Sequence, residues 1–159
     1  MVSHEAYSFK KGHLIGLTPT QPGFLEAIIE DNPNAFYFGS MDWFNEHLFG
    51  LDYLKLIKDN WQSDVDIDSV MTHWGLQPFK DLPIKTYSLG LKQCLIIAMA
   101  QVSDAQIIIL NQITGGLDQE YLNKLRDLLY EFKSLGKSVV LSCYHLEYFS
   151  ELVDEYENL

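Results

Sequence analysis

Ser88-Leu89-Gly90, Asn111-Gln112 and Gly116-Leu117-Asp118 are the residues of this chain whose types and spacing bear on chemistry. Ser88 stands directly before an apolar stretch and is a plausible N-cap for a helix over residues 89–101. The free N–H groups and positive dipole end of such a helix favour an anion. A serine there also serves simply as a cap, and the residues alone leave both readings open. Asn111 and Gln112 follow the apolar run 106–110. Both are neutral amides and cannot act as a carboxylate base. Cys94 and Cys143 sit inside apolar patterns without metal-ligand spacing, so they read as buried, reduced thiols and no metal site is expected. His4, His13, His47 and His73 also lack ligand spacing.

Short apolar runs alternate with amphipathic stretches along the chain. Strands are expected over residues 13–18, 35–39, 106–110 and 138–142. Residues 18–23, rich in Pro and Gly, read as a loop. Helices are expected over 24–30, 45–61 with Gly50 as a weak point, from Asp66 or Asp68 to Trp74, 89–101, 118–135 and 145–156. The run 106–110 lacks alternation, as in a strand covered on both faces. Strands alternating with helices imply parallel pairing, and so a single α/β domain with a small sheet.

Composition narrows the possible partners. The 159 residues, 47% hydrophobic, suffice for one domain with a real core. Eleven basic against 22 acidic residues give a net charge of −11. That balance disfavours nucleic acid and direct docking on an anionic membrane, and permits a basic protein partner. No run approaches the roughly 20 apolar residues of a membrane span. The first residues have no apolar core of a signal peptide, so a cytoplasmic protein is expected.

The segment from Tyr87 to Asp118, YSLGLKQCLIIAMAQVSDAQIIILNQITGGLD, resembles the signature helix, Walker B strand and D-loop of ABC-type ATPases. Tyr87-Ser88-Leu89-Gly90-Leu91-Lys92-Gln93 is closest to the signature of the subgroup that serves ABC-2-type, bacitracin-export-like exporters. The resemblance implies a P-loop NTPase-like parallel sheet with a helical subdomain at about residues 42–103. It implies that Ser88, Gly90, Gln93 and Asp118 face ATP held by an opposite subunit, in trans. Other positions depart from the family pattern. Where a P-loop is expected, Gly23 is the one fitting glycine, Phe24 stands in the lysine position and Leu25 in that of the magnesium-binding hydroxyl. Asn111-Gln112 replaces Asp-Glu. Gly39-Ser40 occupies the Q-loop region without its glutamine. Tyr144 takes the place of the switch histidine, and His145 follows one residue late.

Against the family, segments that fold together as the antiparallel base-binding subdomain are missing, and that subdomain is expected to be lost as a unit. The resemblance therefore implies a non-catalytic, pseudo-ATPase subunit with no catalytic residues and no cofactor bound by the chain alone. Its expected partners are an ABC ATPase subunit, an ABC permease, or both, which would hold it peripherally at the inner face of the cell membrane. Trp43, Phe44, Phe49 and Trp61 read either as core of the helical subdomain or as a partner-facing surface. The other function class is a stand-alone interaction or regulatory module with no nucleotide role.

Overall fold

In the computed structural model, which describes residues 9–18 and 22–157, strands and helices alternate. In chain order they are β1 (Leu14–Leu17), α1 (Pro22–Asp31), β2 (Phe36–Tyr37), α2 (Gly50–Trp61), α3 (Ile67–His73), α4 (Leu89–Ser103), β3 (Ile107–Asn111), α5 (Gln119–Ser134), β4 (Ser138–Ser142) and β5 (Glu155–Glu157). The strands form one sheet in the order β2-β3-β4-β1-β5, with every pairing parallel. The α/β parallel sheet expected from the alternation is the fold observed. Outside the sheet, an isolated antiparallel bridge joins Phe49 and Pro83.

The period-2 geometry of a strand sends neighbouring side chains to opposite faces. Ile15, Leu17, Ile109 and Val140 point to one face, where Leu25 and Ile28 of α1 cover them. Leu14, Ile108, Leu110, Val139 and Leu141 point to the other and join the main core with α4 and α5. This two-sided burial explains why β3 and β4 read as unbroken apolar runs. Helix α4 is apolar nearly all round because it also packs against α2 and α3. Helix α5 is one-sided and buries Leu125, Leu128, Leu129 and Phe132.

Two expected helices change. The helix foreseen over residues 45–61 starts only at Gly50. Asn45 turns the preceding chain locally: its side chain accepts from His47 N at 3.1 Å and its carbonyl from Leu48 N at 3.1 Å. Phe49 N–H then donates to the Asp52 carboxylate at 2.9 Å, which fixes the helix start.

The helix foreseen over residues 145–156 is absent. A 3-10 turn at Leu146–Phe149 is followed by β5, which pairs with β1. Asp154 accounts for the change. Its carboxylate accepts from Leu14 N at 2.8 Å, its own N–H donates to Leu14 O at 2.9 Å, and Lys133 Nζ lies 2.7 Å from it. Leu146 and Val153 close over Gly16, where a Cβ would lie 3.2–3.3 Å from their side chains. The backbone that the sequence pattern assigns to a helix is held on the sheet edge by these contacts.

Candidate functional site

Helices α4 and α5 begin side by side. Ser88 Oγ accepts from Leu91 N at 3.2 Å and caps α4; Asp118 Oδ1 accepts from Tyr121 N at 3.0 Å and caps α5. Both caps are exposed. Between them the backbones of Gly90 and Gly116 meet so closely that a Cβ at residue 90 would sit 2.4 Å from the Gly116 carbonyl oxygen. Gly116 has φ +81, the left-handed region that glycine enters without strain. The result is a shallow cleft of about 150 Å³ whose rim carries Ser88, Gly90 and Asp118. Three of the four residues expected to act in trans are thus brought to one place.

The cleft presents helix-start dipoles but no reactive group. Burial, then the nearby Asp118 carboxylate, pushes the Cys94 thiol at its base up to about 12. Burial also raises the Tyr121 hydroxyl, helped by Cys94, Glu120 and Asp118. A neutral, buried thiol is not a nucleophile at neutral pH.

Gln93, the fourth residue, faces elsewhere. It is buried, and its Nε2 donates to the Gln112 carbonyl at 3.1 Å, tying α4 to the end of β3. Gln112 holds a left-handed backbone, φ +50, and its N–H donates to Ser142 O at 2.7 Å. Gln93, Asn111 and Gln112 together line a larger cleft of about 540 Å³, whose other wall is the segment from Phe38 to Asp42. The sequence reading did not single out Met41 or Asp42 here. The Ser-x-Asp spacing of Ser40 and Asp42, with Asp42 N donating to Ser40 Oγ at 3.2 Å, was the available signal for a built turn.

Gly23, Phe24 and Leu25 lie on α1. Gly23 is exposed, Leu25 is buried against the sheet, and Phe24 packs on the same cluster. The apolar side chains of Phe24 and Leu25 pack against β1, β3 and β4. Of the loop expected over residues 18–23, residues 19–21 lie outside the described residues, while Pro22 and Gly23 already belong to α1. Tyr144 is 70% exposed just past β4. His145 Nδ1 lies 3.3 Å from Glu147 Oε1, an exposed pair at the surface.

The aromatic group divides between the two readings left open for it. Phe44 is buried in the main core, and Trp61 packs against it. Trp43 is 56% exposed and Phe49 39% exposed. Trp43 nevertheless meets Tyr37 and Phe38 edge-on, each with centroids 5.6 Å apart, and so pins the chain beside the larger cleft.

This arrangement of sheet and helices has the fold of ABC ATPase domains. The structure superposes on an ATP-binding subunit of an ABC transporter with a TM-score of 0.80, at 17% identity over 94% of this chain and 75% of that one. A nucleotide-free ATP-binding cassette from an ABC transporter matches with a TM-score of 0.67, at 14% identity over 94% of this chain and 78% of that one. In sequence, the chain is 33% identical over 92 residues to the lantibiotic transport ATP-binding protein SrtF of Streptococcus pyogenes, covering 58% of this chain and 40% of that protein. It is 32% identical over 124 residues to the ABC transporter ATP-binding protein YdbJ of Bacillus subtilis, covering 77% of this chain and 38% of that protein. No family model matches the chain. Its homologues are ATP-binding proteins of ABC transporters, and it spans less than half the length of these two curated relatives. Among the described residues, no helix is long and apolar enough to cross a membrane.

Proposed function

We propose that this chain is a non-catalytic ABC ATPase-like subunit that pairs with an active ATPase subunit, a permease, or both, and completes the partner's ATP site through its signature cleft. The helices from α2 to α4, within residues 42–103, serve as its helical subdomain. It works on the cytoplasmic side of a membrane that it reaches through its partner. The observation that carries the reading is an asymmetry between two sets of residues. Ser88, Gly90 and Asp118 keep an open cleft between two helix starts. Phe24, Leu25, Asn111 and Gln112 supply no charge where a nucleotide and its metal need one. An ammonium and two carboxylates are absent from these positions together, and each such electrostatic stabiliser is typically worth about 3 kcal/mol in the transition state. ATP is therefore contacted only in trans.

The test is a subunit-resolved ATPase assay of the chain reconstituted with an intact ABC ATPase as its candidate partner. Ser88→Arg places bulk and a misoriented charge at the mouth of the cleft and should cut the partner's turnover at least about tenfold. The lost cap costs only about 1 kcal/mol, so the variant stays folded. Unchanged turnover with Ser88→Arg at equal thermal stability would defeat the composite site and favour the stand-alone interaction module.

A further inference from the structure

We propose that the 540 Å³ cleft beside β3 is a guanidinium site that takes an arginine side chain of a basic protein partner. The cleft is lined by Ser40, Asp42, Gln93, Asn111 and Gln112, with Leu89 and Ile96 among its apolar walls. Among the described lining residues, Asp42 carries the one charge. Gln93 is only 4% exposed, and its Nε2 is committed to the Gln112 carbonyl. That bond settles which way the amide points, because only the nitrogen can donate to a carbonyl. Its free atom is therefore the acceptor oxygen, which has no hydrogen-bond partner among the described residues. Every fully buried side-chain polar atom among those residues does have a partner, so this oxygen is reachable from outside.

The side chains of Asp42 and Asn111 also have no hydrogen-bond or ion-pair partner among the described residues. The cleft thus offers a carboxylate and at least two amide oxygens as acceptors. Lys92, the nearby cation on α4, is engaged by Glu46 at 3.0 Å. An anion entering here meets like charge and, among the described lining residues, no counter-ion. A planar group with five donors and a positive charge suits a carboxylate and amide oxygens as acceptors, and its aliphatic stem matches walls such as Leu89 and Ile96. The chain's net charge of −11 draws a basic segment toward it over long range.

This inference rests on the reading that the chain works against a protein partner, but its test needs no partner. The full chain, labelled with 15N, is titrated by NMR with N-acetyl-arginine amide, N-acetyl-lysine amide, N-acetyl-norleucine amide and inorganic phosphate. The side-chain amide signals of Gln93 and Asn111 should shift saturably with the arginine probe at millimolar concentration. The lysine probe should bind more weakly, and norleucine amide and phosphate should leave the signals in place. Asp42→Asn, at an exposed position, should weaken the arginine probe about tenfold, the factor expected for one charge-assisted contact. Asn111→Leu should weaken it as well. Absence of a saturable shift, equal affinity for the lysine or norleucine probe, or unchanged affinity in Asp42→Asn would overturn the site. Failure of Ser88→Arg to affect a partner would leave this result standing, so the two readings fail separately.

Discussion

Gly90 and Gly116 touch backbone to backbone, with room for no side chain at either: a Cβ on Gly90 would lie 2.4 Å from the Gly116 oxygen, and a Cβ on Gly116 would lie 3.0 Å from the Gly90 nitrogen. This contact holds the two helix starts together at the signature cleft. Gly90→Ala and Gly116→Ala should each lower stability by about 1–3 kcal/mol, because backbone cannot yield as a side-chain tip does. Sharing one contact, their effects should add to less than their sum. Gly23→Ala is the control, since nothing lies within 4 Å of its Cβ position. It should be neutral or stabilise α1 by up to about 1 kcal/mol. Urea denaturation of the unmodified chain, the two single variants, their double variant and Gly23→Ala checks this, and a destabilised Gly23→Ala would show that α1 starts differently.

Asp154 should make the fold sensitive to acid. Burial alone would raise its carboxyl, but hydrogen bonds from the Lys133 ammonium and the Leu14 N–H, with the charges of Lys133 and His13, more than offset that and hold it below the ordinary carboxylate range. A group with a depressed native pKa contributes stability that is present above its unfolded pKa and lost as the pH falls through the native one. Asp154→Asn keeps an oxygen for Leu14 N and should cost about 1 kcal/mol at neutral pH; Asp154→Ala also leaves that N–H unpaired and should cost about 2 kcal/mol. Both losses should shrink as the pH drops below the carboxylate range. Equal costs at neutral and acid pH would refute the assignment.

Cys94 and Cys143 should resist thiol reagents in the native state. They are 2% and 0% exposed, and burial first of all pushes their thiols up to about 12 and about 11. Their modification at pH 8 should run at least about a hundredfold slower than in denaturant, tracking unfolding. Fast native labelling of Cys94 would mean that the signature cleft opens.

What the sequence reveals depends on how local the cause is. Ser88 and Asp118 read correctly as helix starts because each cap is closed by a residue three positions on. Strand β4 is legible residue for residue because both its faces are buried. The helix expected at residues 145–156 failed because its competitor is Leu14, 140 residues away, and amphipathic spacing carries no record of that hydrogen bond. The meeting of Gly90 and Gly116, and with it the cleft between the two helix starts, is likewise invisible to periodicity. The placement of Gln93 is also invisible to periodicity: its side chain supports β3 and borders a different cleft from that of Ser88.

The claim that this chain meets ATP only in trans is tested most directly by calorimetry of the isolated protein with Mg-ATP. Phe24 and Leu25 are committed to the cluster under the sheet, and Asn111 and Gln112 are neutral. Titration to millimolar Mg-ATP should give no heat beyond dilution, and Asn111→Asp with Gln112→Glu should not restore binding, because Phe24 and Leu25 still supply neither a cation nor a hydroxyl. A micromolar dissociation constant for the unmodified chain would contradict the account.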